Sequence, residues 1–87
     1  MSIEFNFDAI TQWVFQTCGE FGVELAFGDS DFFACGGTSL LAIRLISKVD
    51  SEIASFALSP ASLYENPTLD GIVTSIMENL SVEYADR

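Results

Sequence analysis

One serine in this chain is presented in a way that suits chemical modification. Ser39 follows a pair of glycines, Gly36 and Gly37, and stands at the start of an amphipathic segment. Glycines permit backbone conformations closed to other residues and allow another protein to approach closely. The chain contains no histidine, so it offers no obvious base to activate a serine for catalysis. We therefore predict that another enzyme does the chemistry on Ser39, and that this chain has no active site of its own.

The elements that position Ser39 must come from one small acidic domain. A length of 87 residues corresponds to a single domain, and a hydrophobic content of 49% with eight phenylalanines supplies its core. The 13 acidic and 3 basic residues give a net charge of −10, which argues against binding to nucleic-acid phosphates. No apolar run reaches the roughly 18 residues of a membrane span. We therefore expect no membrane span and a cytoplasmic location.

The cysteines Cys18 and Cys35 do not predict a metal site. Without a histidine or a third cysteine, they cannot build a tetrahedral zinc site from soft ligands. A single disulfide is open to them, but no secretory signal precedes them. The favoured interpretation is that both are reduced and packed as small apolar groups.

Apolar spacing predicts three substantial helices and one short helix. The predicted buried faces are Ile10, Trp13, Val14, Thr17, Cys18 and Phe21 in the first helix; Ala42, Leu45, Ile46, Val49 and Ile53 in the second; and Leu69, Ile72, Val73, Ile76, Met77 and Leu80 in the last. No period-two run predicts a strand.

The helix boundaries follow from capping residues. The predicted start signals are Asn6 or Asp8, a residue at or beside Ser39, Ser59 before Pro60, and Thr68; the predicted stop signals are Gly19 or Gly22, and Asn66 before Pro67. Residues 22–38 are predicted to be a long ordered loop, pinned by Leu25, Phe27, Phe32 and Phe33. Residues 1–6 are interpreted as a lead-in and residues 81–87 as a polar tail.

A different role for Ser39 must be weighed against modification. Serine is among the preferred N-cap residues of helices, so Ser39 is also interpretable as a cap and nothing more. The chain would then be a small non-catalytic helical adaptor. The residues that flank Ser39 decide between the two interpretations.

Those flanking residues resemble the attachment motif of phosphopantetheine-dependent carrier proteins, in the peptidyl and aryl carrier branch of nonribosomal peptide synthesis. That family's pattern is Asp-x-Phe-Phe-x-x-Gly-Gly-x-Ser-Leu-x-Ala-x-x-Leu. The matching residues are Phe32, Phe33, Gly36, Gly37, Ser39, Leu40, Ala42 and Leu45. Downstream, the segment from Tyr64 to Leu69 resembles the family's aromatic-x-x-Pro-Thr-Leu block. Thr38 stands where the family usually has histidine or aspartate, and the resemblance covers roughly residues 7–80.

The resemblance implies an all-α four-helix carrier bundle, with residues 1–87 as one domain. It implies covalent 4'-phosphopantetheine, derived from coenzyme A, on Ser39, with Gly36, Gly37, Thr38 and Leu40 as the surrounding motif. The arm would tether an aminoacyl, peptidyl or aryl group as a thioester. Partners implied are a phosphopantetheinyl transferase, an adenylating or loading enzyme, and condensation, thioesterase or tailoring enzymes. A monomer is expected. The chain is interpreted as freestanding, with an excised domain as the open alternative, and an acyl carrier for fatty or polyketide groups is the same-fold alternative.

The charges of the second helix bear on which partners it meets. Between Ser39 and Val49 there is no acidic residue, whereas Arg44 and Lys48 are basic. Fatty-acid carriers resemble one another in having an acidic second helix, which this chain lacks. We predict partner contacts at Leu41, Ile43 and Arg44, through an apolar rim beside Ser39. The alternative is that Leu41 and Ile43 only cover the margins of the core.

Overall fold

The computed structural model describes residues 6–85, which form four helices. They are α1 (Phe7–Glu20), α2 (Ser39–Glu52), α3 (Pro60–Glu65) and α4 (Leu69–Ala85). The predicted all-α architecture of three longer helices and one short helix is confirmed. Within the described residues, the only extended pairing is an isolated bridge between Asp31 and Thr68. Helix α4 extends to Ala85, so residues 81–85 of the predicted polar tail are helical; residues 86–87, and residues 1–5 of the predicted lead-in 1–6, lie outside the described residues.

Side-chain caps set the helix starts, largely where the sequence predicts them. The Asn6 side chain accepts a hydrogen bond from the Ala9 N–H at 2.8 Å, which makes Asn6 rather than Asp8 the cap of α1. Ser59 accepts from the Ser62 N–H at 3.1 Å, with Pro60 at the first helical position. Thr68 accepts from the Gly71 N–H at 3.0 Å and so caps α4. These three bonds satisfy amide groups that have no partner inside their own helices.

The end of α1 requires a glycine just beyond the helix. The helix ends at Glu20, with Phe21 at the C-cap. Gly22 follows with φ of +85°, a left-handed conformation that costs glycine little. Gly22 therefore terminates α1, whereas Gly19 lies inside the helix.

The core is built from the predicted apolar faces. Its fully or almost fully buried side chains are Ile10, Val14, Cys18, Val23, Leu25, Phe32, Ala42, Leu45, Val49, Ala57, Leu58, Leu63, Leu69, Ile72, Val73, Ile76 and Leu80. Trp13, Phe21, Ile46, Ile53 and Met77 pack against this cluster in partly buried positions. The helix α1 packs along α4, and the short α3 contacts both α2 and α4. Both cysteine thiols are free, with Cys18 buried and Cys35 half-buried.

The first loop is ordered by burial of some of its apolar residues. Leu25 and Phe32 are completely buried, and Phe33 packs against the core. The prediction that Phe27 pins the loop is wrong, because its side chain is 71% exposed. Phe27 opens a tight turn in which its N–H donates to Ser30 Oγ at 2.9 Å and its carbonyl accepts from the Ser30 N–H at 3.0 Å. This turn directs the Phe27 side chain outward.

Backbone hydrogen bonds join the first loop to the turn between α3 and α4. The Phe32 N–H donates to the Pro67 carbonyl at 2.8 Å, and the Leu69 N–H donates to the Ser30 carbonyl at 3.0 Å. The Asp70 N–H donates to the Gly28 carbonyl at 2.9 Å. Because this loop leads directly into α2, these bonds fix the start of α2 beside α3. No helix in the described part of the chain is long and apolar enough to cross a membrane.

Candidate attachment site at Ser39

A compact turn precedes Ser39, and the structure explains why its two positions 36 and 37 are glycines. Gly36 has φ of +110°, a region that residues with a side chain rarely adopt. Gly37 donates its N–H to the Phe32 carbonyl at 2.8 Å. A Cβ added at Gly37 would overlap the Phe32 ring. The sequence predicts that these glycines allow another protein to approach closely. Gly37 has a further role, because its lack of a side chain leaves room for the buried Phe32 ring of its own chain.

Thr38, and not Ser39, is the N-cap of α2. The backbone of Thr38 is extended, and Thr38 Oγ1 accepts from the Leu41 N–H at 3.2 Å. The Ala42 N–H donates to the Thr38 carbonyl at 2.8 Å. Ser39 is the first residue with helical backbone. The interpretation of Ser39 as a helix cap and nothing more is therefore wrong, because its neighbour already performs that role.

The Ser39 hydroxyl is consequently available at an exposed position with helix amides nearby. The side chain of Ser39 is exposed, and the N–H groups of Ser39 and Leu40 belong to the first turn, where no intrahelical partner exists. Such amides, together with the positive end of the helix dipole, favour an anionic group at this end of α2. The exposed hydroxyl, the helix start and the small residues before it fit the attachment of a phosphodiester-linked arm.

Among the described residues, the side-chain hydrogen bond of the Ser39 hydroxyl comes from Tyr64, and none joins it to a carboxylate. Asp31 is the acidic residue nearest to it in the sequence. Asp31 Oδ1 accepts from the N–H groups of Phe33 at 2.8 Å and Ala34 at 3.0 Å. This carboxylate therefore stabilises the turn that precedes α2. Within residues 6–85, no group of three or more histidine, cysteine, aspartate or glutamate side chains is arranged to hold a metal ion.

Tyr64 is a neighbour of Ser39 that sequence reasoning did not assign to the site. Its hydroxyl donates to Ser39 Oγ at 3.4 Å, across 25 positions of sequence. The Tyr64 ring stacks on Phe33, with centroids 5.2 Å apart and planes 2° from parallel. The aromatic-x-x-Pro-Thr-Leu block identifies Tyr64 as a motif position. Nothing in the sequence showed that α3 would bring it to Ser39.

The predicted partner-binding residues differ in exposure. Leu40 and Ile43 are each 63% exposed, and Arg44 is exposed too. Leu41 instead packs against the core in a partly buried position. The alternative that these residues only cover the margins of the core therefore applies to Leu41 but not to the exposed Ile43. The apolar rim beside Ser39 consists of Leu40 and Ile43, and we use the name α2 rim for these two residues.

The basic residues of α2 have different surroundings. Lys48 Nζ lies 2.7 Å from Glu52 Oε2 in an ion pair one helical turn apart. Trp13 Nε1 donates to Glu52 Oε1 at 3.2 Å, which links α1 to the end of α2. Two hydrogen bonds lower the pKa of Glu52 below its usual value, and the one from Lys48 has a larger effect than the one from Trp13. Arg44 lines an open depression with Glu20, Phe21, Ser47 and Lys48. Along α2, Arg44 is closer to Ser39 than the Lys48–Glu52 ion pair is.

Comparison with known proteins identifies relatives of the segment that holds this site. A nonribosomal peptide synthetase, asqK, of Emericella nidulans is 44% identical over 54 residues, which cover 62% of this chain. N-(5-amino-5-carboxypentanoyl)-L-cysteinyl-D-valine synthase of Amycolatopsis lactamdurans is 36% identical over 67% of the chain. Malpinin synthetase of Mortierella alpina is 38% identical over 63% of the chain. The matched segments span only 2%, 2% and 1% of these relatives' own lengths. No solved structure matches the chain significantly.

A sequence profile covers most of the chain and places these likenesses in one family. The profile described as "Phosphopantetheine attachment site" matches residues 12–76. That range begins within α1, includes the turn before Ser39 together with all of α2 and α3, and ends within α4. Members of this family carry a covalently attached 4'-phosphopantetheine group. The chain belongs to this family of phosphopantetheine-binding carrier domains.

Proposed function

We propose that Ser39 is the residue that carries 4'-phosphopantetheine, and that residues 1–87 form one carrier domain of nonribosomal peptide synthesis, with its core at about residues 7–80. The observation that carries the proposal is the division of roles at the start of α2. Thr38 makes the capping bond, while the neighbouring Ser39 hydroxyl stays exposed. When bound, the arm supplies a terminal thiol on which an aminoacyl, peptidyl or aryl group is held as a thioester.

In the attachment reaction, Ser39 contributes its oxygen and the transferase must supply the base. Ser39 Oγ forms a bond to the phosphorus of the pantetheine phosphate of coenzyme A. The bond from that phosphorus to the adenosine bisphosphate breaks, and the Ser39 proton passes to the base. This chain has no histidine, and Asp31 is engaged by two backbone amides. We therefore assign this chain the role of a substrate and carrier without catalytic groups of its own.

The surface of α2 favours a peptidyl or aryl carrier over a fatty-acyl carrier. The first turn of α2 contains no acidic residue, and the α2 rim is apolar, with Arg44 beside it. Partners that recognise an acidic second helix would find no acidic residue between Ser39 and Val49. The relatives from Emericella and Amycolatopsis are named as a peptide synthetase and as a synthase of a cysteinyl-valine compound, which favours the same branch. A carrier for fatty or polyketide groups is the second candidate.

Intact mass spectrometry tests the attachment. The protein is incubated with coenzyme A and a broad-specificity phosphopantetheinyl transferase, and the mass is expected to rise by one phosphopantetheine. Ser39→Ala is expected to abolish the rise without changing helical circular dichroism. Thr38→Ala is the matched control, because it alters the adjacent hydroxyl and should still be modified. Absence of any gain with several active transferases would refute the proposal.

The α2 rim is proposed as the contact for the loading enzyme. Ile43→Asp would place a carboxylate where an interface must desolvate it, at a cost of about 1–3 kcal/mol, and should slow loading on the order of tenfold or more. Phe56→Asp is the control, because Phe56 is 87% exposed and follows the other end of α2. Arg44→Glu tests an ionic contact, which would weaken with salt. Normal loading of Ile43→Asp, together with steep salt dependence, would refute the apolar contact.

The remaining features of the proposal concern partners and state. A phosphopantetheinyl transferase, an adenylating or loading enzyme, and condensation, thioesterase or tailoring enzymes are the partner classes. The carrier is proposed to act as a monomer, because a modified serine must pass between enzymes, and its proposed location is the cytoplasm. Size-exclusion chromatography with light scattering of the modified protein should give the mass of a single chain.

A further inference from the structure

Three aromatic rings connect the buried core to Ser39. Phe32 is completely buried, and its ring meets Phe33 edge-to-face with centroids 5.1 Å apart. Phe33 in turn stacks flat on Tyr64, whose hydroxyl donates to Ser39 Oγ. The hydroxyl that reaches the serine is therefore held by a stack that ends in the core.

The position of Tyr64 is not explained by burial. The core residue of α3 is Leu63, which is completely buried, whereas Tyr64 is 54% exposed. A six-residue helix is too short to be stable by itself, so α3 depends on Leu63 and on the Ser59 cap for its place. Instead of packing in the core, Tyr64 makes two contacts: its ring stacks on Phe33 and its hydroxyl donates to Ser39 Oγ.

We infer that Tyr64 is a positioning residue for Ser39, an inference that rests on the proposed attachment of phosphopantetheine at Ser39. By donating to Ser39 Oγ, the Tyr64 hydroxyl favours one orientation of an otherwise free side chain. The serine oxygen has two lone pairs and its own proton. One lone pair remains to attack phosphorus, and the proton remains for the transferase's base.

The same hydroxyl also has a role once Ser39 is modified. A phosphodiester is anionic, and a hydrogen bond to an anion is stronger than one between neutral groups. Tyr64 is therefore assigned as a donor to the phosphodiester on Ser39, together with the first amides of α2. With the arm attached, such a contact would restrict the base of the arm at Ser39.

Variants at Tyr64 and Phe33 separate the hydroxyl from the ring. Tyr64→Phe keeps the ring and removes only the hydroxyl, whereas Phe33→Leu keeps the hydroxyl and removes its stacking support. Both are expected to lower kcat for modification, with the loss in Tyr64→Phe on the order of two- to tenfold, as for one hydrogen bond. KM for the carrier should change little. A residue that only contacts the transferase would raise KM instead.

Phosphorus NMR gives a readout that does not depend on turnover. The ³¹P resonance of fully modified Tyr64→Phe is expected to differ in chemical shift from that of the modified wild type. Phe56→Asp is the control and should leave this shift unchanged, because Phe56 is 87% exposed and follows the other end of α2. Amide spectra of Tyr64→Phe should match the wild type away from Ser39, Phe33 and α3.

The outcomes distinguish this inference from the proposed function. If the wild type gains one phosphopantetheine and Tyr64→Phe matches it in kcat and ³¹P shift, the positioning role is refuted and the attachment stands. If Tyr64→Phe raises KM alone, Tyr64 is a transferase contact and the inference is again refuted. If the wild type gains no mass, both the attachment and the inference fall.

Discussion

Alanine substitutions at the adjacent residues Thr38 and Ser39 should have separate effects, one on the stability of the fold and the other on modification by phosphopantetheine. Thr38 Oγ1 caps α2 through the Leu41 N–H at 3.2 Å, and loss of such a cap costs typically about 1 kcal/mol. In a domain of this size that corresponds to a fall in Tm of about 4–8 °C. Among the described residues, the exposed Ser39 side chain makes only the 3.4 Å hydrogen bond from Tyr64, and alanine is the better helix former. We expect Ser39→Ala to change the free energy of unfolding by less than about 0.5 kcal/mol.

The two variants should therefore have opposite phenotypes. Thr38→Ala is expected to lower the urea midpoint, followed by circular dichroism, and to accept phosphopantetheine in the mass assay. Ser39→Ala is expected to keep the midpoint and to lose all modification. The reasoning would be refuted if Ser39→Ala lost as much stability as Thr38→Ala, since Ser39 would then be acting as a cap. It would also be refuted if Ser39→Ala still gained one phosphopantetheine.

Other predictions concern packing, ionisation and added reagents. Gly37→Ala should lower the free energy of unfolding by about 1–3 kcal/mol in urea melts, because its methyl group overlaps Phe32. Gly19→Ala has open space around it and should raise the free energy of unfolding by up to about 1 kcal/mol. Equal effects of the two variants would contradict the overlap with Phe32. Burial raises the pKa of the Cys18 thiol from 9.0 to about 12, so the unfolded chain releases its proton first. The stability that the buried Cys18 thiol contributes should be complete below pH 9 and should fall by roughly 1 kcal/mol by pH 10 in melts; Cys18→Ala should lack this loss. Chelator and reductant should leave the thermal melt unchanged, and a large fall in Tm with either would contradict a fold free of metal and disulfide.

The features that the sequence predicted best are those with local causes. The buried faces of α1 and α4 follow from a 3.6-residue apolar period. The caps Ser59 and Thr68 each bond an amide three residues ahead, so sequence spacing alone identifies them. The order and number of helices follow from these signals, because each helix begins and ends through contacts among near neighbours.

The features that the sequence did not predict depend on a choice between neighbours or on long-range contacts. Thr38 and Ser39 are both suitable caps, and the extended backbone of Thr38 decides between them. Phe27 is as apolar as Phe32, but a tight turn directs it outward. The contact between Tyr64 and Ser39 spans 25 positions and requires α3 to pack against α2. None of these outcomes has a periodic signal.

The arrangement at the start of α2 separates the residue that is modified from the residues that stabilise the fold. Thr38 satisfies the helix amide, and Gly37 packs against Phe32, so the local structure does not depend on the Ser39 side chain. If Ser39 were the cap, attachment would turn the capping hydroxyl oxygen into an ester oxygen, which is a weaker acceptor, and the cap would change with each attachment. Because Ser39 lies one residue further on, a group can be attached to it while α2 keeps its cap. The fold of the carrier is then expected to be nearly the same before and after modification, apart from the Tyr64 hydroxyl, whose partner changes.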